Sequence, residues 1–373
     1  MEVSMVLKII QEEGPSYGLQ LNVSKTEIIW PSYDPRRDVD NVFHANIGKP
    51  VGGIKLLGGP ENIKYLPGIK LGHNVVADPD LEHAVEDANM LVFVTPHQFI
   101  EGICKRLVGK IKGDVEAISL IKGMEVKPGG PCMISSLINK QLGVNCCVLM
   151  GANIGDEVIL QNGLYLLRRV GCQHLVLFTQ IAMEKFSEAT IGYREDKEVA
   201  QRWVQIFGTP YFRVSAVRDI EGVELCGTLK NVVAIAAGFV DGSEMGNNAK
   251  AAIMRIGLNE MKAFSKLMFP SVCDNTFLES CGIADLITTC LGGRKRKVAD
   301  AFARSSGKRL SYFLRDSIRN GLLLKGVKTA GEVYEVLCQR GWQQSFPLSR
   351  TVHVICTGHL PPSAITQQRL DEN

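Results

Sequence analysis

One stretch constrains this chain more than any other: Glu224 to Gly238, apolar over nearly all its length yet carrying Lys230-Asn231 at its middle. Its composition reads as a buried helix. A buried ammonium is costly unless it is paired or its pKa falls. Lys230 is therefore either a solvent-facing residue on a half-buried helix, with its stem along the apolar surface, or a partnered and chemically used group. A second segment, Phe277 to Arg294, also sets polar groups in an apolar run. Asp285 and Thr289 lie four apart in it and share a face if it is helical. Gly292-Gly293 and Arg294 follow at once.

The 373 residues have room for two domains and a sizeable core. Hydrophobic content of 45% and charged content of 22% fit an ordinary soluble globular protein. A net charge of +3 is close to zero for this length, which gives no support to a nucleic-acid partner. The 11 cysteines include no Cys-x-x-Cys, and the first residues show no secretory pattern. Reduced, buried cysteines in a cytoplasmic setting are expected. Cys146-Cys147 should point to opposite faces of a strand rather than hold a metal. No uninterrupted apolar run reaches membrane-spanning length, so no membrane partner is expected.

Strand and helix alternate from about residue 61. Asn89 to Thr95 reads as a buried parallel strand ending at Pro96. His97 to Ile111 has helical apolar spacing, and Ala117 to Ile121 reads as a strand with Lys122 at its carboxyl end, where open α/β sheets hold ligands. Strands are expected at Cys147–Met150, Ser187–Tyr193 and Tyr211–Val217, and a helix at Lys197–Phe207. From about Arg218 helices dominate, including Asn248–Met268 with Ala251, Ala252, Met254, Ile256 and Met261 as its apolar positions. The fold class expected is α/β: a truncated Rossmann-type parallel sheet followed by an all-helical C-terminal domain.

Several segments carry a resemblance to one family. They are Glu61-Asn62-Ile63-Lys64-Tyr65-Leu66-Pro67-Gly68, Val94-Thr95-Pro96-His97-Gln98-Phe99, Ser119-Leu120-Ile121-Lys122-Gly123, Leu149-Met150-Gly151-Ala152-Asn153-Ile154 and the two segments above. Together they resemble the NAD-dependent glycerol-3-phosphate dehydrogenases, most closely the plant cytosolic form, over roughly four-fifths of the chain. The resemblance implies hydride transfer between NADH and dihydroxyacetone phosphate to give sn-glycerol 3-phosphate, in a cytoplasmic homodimer. It assigns catalysis to Lys230, Lys122 and Asp285, with Lys230 as proton donor and acceptor. It assigns substrate binding to Asn231, Thr289, Arg294 and Lys295, and cofactor binding to Phe99, Lys122, Gly155, Arg294 and Lys325; no metal is implied. The domains it suggests are an N-terminal fragment at 1–60, a truncated NAD-binding domain at 61–217 and a helical substrate and dimerisation domain at 218–373.

Three departures accompany the match. Residues 1–60 look like a fragment of a retroelement reverse transcriptase, without the paired aspartates of a two-metal site, and are expected to be weakly ordered. They stand where the family has its Gly-rich turn, and the sequence accordingly holds no Gly-x-Gly-x-x-Gly, the turn that lets backbone N–H groups approach a pyrophosphate. Val158 to Gln180 reads as an insertion after the loop that borders the nicotinamide in the family. Where the family has Asn, a Lys-Leu-Gln run, this chain has Lys295 and Leu323-Leu324-Lys325. The basic run Arg294–Lys297 suits phosphate, with a nuclear import signal or a solvated face as its rivals. The expected outcome is a family member of low or absent turnover; the alternative is an inactive member retaining only the helical dimerisation domain.

Overall fold

A computed structural model describes residues 54–56, 75–78, 80–95, 97–127, 130–152, 186–305 and 323–367. Two short parallel strands open it, β1 (Ile54–Leu56) and β2 (Val75–Ala77). Residues 1–60 were expected to stand apart, but Ile54–Leu56 pairs residue for residue with Val75–Ala77; residues 1–53 and 57–60 lie outside the described residues. Helix α1 (Leu81–Val85) follows, capped by the Asp80 carboxylate.

The main sheet has five strands. They are β3 (Met90–Phe93), β4 (Glu116–Ser119), β7 (Cys146–Met150), β8 (Ser187–Gly192) and β9 (Phe212–Val217), adjacent in that order. Helix α2 (Ile100–Leu107), preceded by a 3-10 turn at His97–Phe99, links the first two. A small antiparallel pair, β5 (Glu125–Lys127) with β6 (Gly130–Cys132), and helix α3 (Ile134–Leu142) link β4 to β7. Helix α4 (Lys197–Phe207) links β8 to β9. The sheet is mostly parallel, but β7 and β8 run antiparallel. Among the described residues β3 is an edge strand, its Leu91 and Phe93 buried and its Met90 and Val92 half-buried.

Helices cover both faces of the sheet, which is why the strands are apolar on both sides. Cys146 packs with Cys104, Ala117, Ile121 and Ile138 on one face, and Cys147 with Ile118, Leu149, Ile191 and Trp203 on the other. The alternation expected at Cys146-Cys147 is thus observed, and burial pushes the Cys147 thiol up to about 12.

After β9 the chain is helical: α5 (Ile220–Gly242), α6 (Gly246–Met268), α7 (Asp285–Gly292), α8 (Arg294–Arg304), α9 (Leu323–Arg340) and α10 (Pro347–Cys356). Every residue of α5 from Gly222 to Val240 is buried. The helix passes for a membrane span by length and apolarity, yet it is wholly enclosed by protein. Helix α8 crosses it closely. A side chain at Gly238 or Gly242 would overlap the Arg296 and Asp300 carbonyls, so these two positions admit only glycine at this approach. Helix α6 buries Ile253, Gly257, Glu260, Met261 and Phe264, while Ala251 and Ala252 face solvent. Of the expected apolar positions Met261 is buried and Met254 and Ile256 pack against the core, while the small alanines give way to Ile253 and Phe264, which offer more area to bury.

Candidate active site

Helix α5 begins at Asp219, whose carboxylate accepts from Gly222 N at 2.8 Å, Cys273 N at 2.9 Å and the Thr276 hydroxyl at 2.6 Å. One cap thus fixes the start of α5 and the approach to the segment that carries Asp285. That segment widens into a π-turn at Ser280–Ala284 and tightens into α7 at Asp285. Single π-turns of this kind often place functional side chains.

The two helices converge on an ion cluster. Lys230 Nζ of α5 contacts Asp285 Oδ1, and Lys122 Nζ, three residues beyond β4, contacts Asp285 Oδ2 at 3.3 Å. The Lys230 and Asp285 side chains are almost fully enclosed, and Lys122 keeps 16% of its surface. One carboxylate therefore faces two ammonium groups. Burial drives the Lys230 pKa from its ordinary value down to about 7; Asp285 opposes that shift and Lys122 adds to it. A buried amine that holds and releases a proton near neutrality is suited to general acid–base work.

The polar neighbours are less free than expected. The Asn231 amide donates to the Gly227 and Thr228 carbonyls at 3.2 and 3.0 Å, and the Thr289 hydroxyl donates to the Asp285 carbonyl at 2.5 Å. These donors are engaged within their own helices; their oxygens retain acceptor capacity. Thr289 does share a face with Asp285, both buried. Gly293 separates α7 from α8, which puts Arg294 and Lys295 in the first turn of α8 with its unbonded N–H groups. Arg294 is half-buried and Lys295 buried. The basic run does not act as one unit: Arg296 Nη1 turns to Asp241 Oδ2 at 2.8 Å and Asp300 Oδ2 at 3.1 Å.

At the carboxyl end of β3, Phe99 is half-buried beside the turn that opens α2, and the enclosed Thr95 hydroxyl has no hydrogen-bond partner among the described residues. Gly155 lies outside the described residues, as do residues 158–180, expected to be an insertion, and Lys325 is placed in α9 by its backbone alone.

Two buried glutamates escaped the sequence reading. Glu224 Oε1 accepts from Ile134 N at 2.6 Å, and its other oxygen accepts from the Ser135 hydroxyl at 2.5 Å, at the start of α3. Glu260 accepts from Leu348 N at 2.6 Å and from Ser349 N and its hydroxyl at 2.9 and 2.7 Å, at the start of α10. Neither α3 nor α10 has a side-chain cap of its own. The available signal was a glutamate in an apolar run; its partners lie about ninety residues away and leave no local pattern.

Comparison with known proteins gives a consistent pattern. The family described as NAD-dependent glycerol-3-phosphate dehydrogenase C-terminus matches residues 219–367, and the corresponding N-terminus family matches 57–165. The chain is 68% identical over 309 residues to glycerol-3-phosphate dehydrogenase [NAD(+)] 1, chloroplastic, of Arabidopsis thaliana, covering 83% of this chain and 72% of that one. It is 48% identical over 297 residues to the cytoplasmic enzyme of Homo sapiens, covering 79% and 78%. The solved glycerol-3-phosphate dehydrogenase of Saccharomyces cerevisiae superposes with a TM-score of 0.71 at 39% identity, over 82% of each chain.

Proposed function

Because the chain belongs to the NAD-dependent glycerol-3-phosphate dehydrogenase family, we propose that Lys230, Asp285 and Lys122 form the proton-transfer centre for interconverting dihydroxyacetone phosphate and sn-glycerol 3-phosphate. The observation that carries this reading is the single buried carboxylate shared by two lysines from separate parts of the fold.

In the reductive direction Lys230 Nζ–H gives its proton to the C2 carbonyl oxygen. When bound, NADH would supply the hydride, and with it both electrons, to C2, so that one C–H and one O–H bond form as the C=O π bond breaks. Lys230, left neutral by the proton transfer, regains a proton from water. Asp285 holds the ammonium in place, and Lys122 keeps its proton transferable at neutral pH. Arg294 and Lys295 take the phosphate dianion at the start of α8, where unbonded N–H groups also favour an anion. Oxygens of Asn231 and Thr289 accept from the substrate hydroxyl groups.

The residues at the carboxyl ends of β3 and β4 suit a nicotinamide ring. Phe99 offers an apolar face, Thr95 an unspent hydroxyl and Lys122 a cation. Gly155 and Lys325 complete the proposed cofactor set. The 373 residues contain no Gly-x-Gly-x-x-Gly, however, so affinity for the pyrophosphate falls and turnover is low. That same absence favours a second reading, a catalytically silent member whose helical part, from residue 218, pairs two copies. Residues 61–217 form the cofactor domain in either case, and residues 1–60, all but the last four of them outside the family match, are the reverse-transcriptase-like fragment, its Ile54–Leu56 paired to β2. Relatives are named both cytoplasmic and chloroplastic; the cytoplasm is our assignment, with no nucleic acid or membrane as partner.

NADH oxidation by dihydroxyacetone phosphate in the purified chain tests the first reading. Slow turnover abolished by Lys230→Ala supports it; turnover that survives that change removes Lys230 from its role. Absence of both NADH binding and turnover selects the second reading.

A further inference from the structure

Asp285 faces two lysines with different oxygens, so a small displacement of its backbone alters both contacts. What holds that backbone is the π-turn just before it. The Ser280 hydroxyl donates to the Glu188 carbonyl of β8 at 2.9 Å and accepts from Ala152 N, at the exit of β7, at 3.4 Å. Cys281 N donates to the buried Thr190 hydroxyl of β8 at 3.4 Å. The Glu188 carbonyl is a crowded point: a side chain at Gly151 would overlap it, and the absence of one lets the exit of β7 come close enough for Ala152 N to reach Ser280. Three segments therefore meet at one hydroxyl. They are the exit of β7, the start of β8 and the turn that delivers Asp285.

We propose that Ser280 is a positioning residue for the Lys230–Asp285 pair: its hydroxyl clamps the π-turn to β7 and β8 and so sets where the Asp285 carboxylate stands between Lys230 and Lys122. The proposal rests on the reading of Lys230 as the proton-transferring group. Its consequence is directional. If the clamp is released and the carboxylate retreats, burial and Lys122 act on Lys230 with less opposition, and the amine loses its proton at lower pH.

The test uses the whole chain and needs no turnover. The pH dependence of Lys230 acylation by acetic anhydride, followed by mass spectrometry of its peptide, gives the titration midpoint; thermal unfolding checks that each variant is folded. Ser280→Ala should lower the midpoint by about half a unit to one unit, a roughly three- to tenfold change in the protonated ratio. Thr190→Val, which removes the acceptor for Cys281 N, should move it the same way. Ser280→Thr keeps the hydroxyl and should restore the original midpoint. Asp285→Asn should lower it furthest.

An unchanged midpoint in Ser280→Ala, with Asp285→Asn still shifting it, overturns the role of Ser280 and leaves the Lys230–Asp285 pair standing. An unchanged midpoint in Asp285→Asn overturns the pair itself, and the proposal with it. Should Ser280→Ala not fold, an unchanged midpoint in Thr190→Val decides against the clamp.

Discussion

Glu224 and Lys230 lie on the same buried helix, and both titrate near pH 7 for mirror-image reasons. Burial raises the Glu224 carboxyl to about 7, and it lowers the Lys230 ammonium to about 7. Their partners differ. Among the described residues Glu224 is hydrogen-bonded by donors, two backbone N–H groups and the Ser135 hydroxyl at the head of α3, with the like charge of Glu221 adding a little to its rise. Lys230 is met by charges of both signs, Asp285 directly and Lys122 across the same carboxylate. The first arrangement saturates a group and anchors one helix to another. The second leaves a proton poised between opposing influences. A buried charge is thus not diagnostic of chemistry by itself; the kind of partner it keeps is.

The comparison breaks most sharply on activity. Lys230→Met should cost roughly 10²–10⁴-fold in turnover, the usual range for a lost general acid. Glu224→Gln keeps a hydrogen-bonding side chain at the head of α3 and should leave turnover within a few-fold. Steady-state NADH oxidation checks both, and a loss in Glu224→Gln as deep as in Lys230→Met would erase the distinction. Stability should rank the other way. Glu224→Ala strands buried N–H groups of α3 and should cost on the order of 3 kcal/mol in urea unfolding. Glu260→Ala should do the same at α10, where Leu348 N, Ser349 N and the Ser349 hydroxyl lose their acceptor.

What was legible in the sequence follows the same division. Lys230 stood out because a lysine in an apolar helix contradicts its surroundings, and Asp285 and Thr289 stood out because their spacing gives one face. Helix α4 is legible at its observed bounds, Lys197–Phe207; in the fold Asp196 caps it and Trp203 and Phe207 lie on its buried side. Glu224 sat at the edge of the very segment singled out and went unread, since its partner residues are distant in the chain. The antiparallel turn of β8 against β7 likewise left no periodic trace. Arg296 belonged to a run that read as anion-binding, but its Asp241 partner lies across a helix crossing made possible by Gly238 and Gly242. Local pattern reports what a residue is; only the fold reports what it meets.

A finer probe is the sign of each influence on Lys230. Because Lys122 lowers the Lys230 pKa, Lys122→Met should raise it. Ketone reduction needs protonated Lys230 and should fall as pH rises through about 7, whereas alcohol oxidation needs the neutral amine and should rise there. In Lys122→Met both midpoints should move to higher pH. A pH profile of kcat/KM in the two directions checks this, and coincident profiles for the variant and the parent chain would remove Lys122 from the cluster.

The smallest effect sharpens the comparison in the absence of any substrate. Glu224 binds its proton more tightly in the folded chain, up to about 7, than at its ordinary 4.5, so between those values the folded state holds more protons. Stability then falls as pH rises through that window. Lys230 is the reverse: its folded value of about 7 lies below the ordinary 10.5, the unfolded chain holds more protons between them, and stability rises with pH from about 7 upward. Together the two groups put a shallow minimum near neutrality. Glu224→Gln should flatten the acid side of that minimum while Glu260, raised by the same burial, leaves a residual slope. Lys230→Met should flatten the alkaline side. Urea midpoints at about pH 5, about 7 and about 8.5 read both slopes. Measurements belong below about pH 9, because the thiols of Cys104, Cys147, Cys290 and Cys356, pushed up to about 12 from 9.0, reverse the slope beyond it. If Glu224→Gln changes the alkaline side instead, the Glu224 carboxyl is titrating with the amine, and the two sites on α5 act as one unit rather than two.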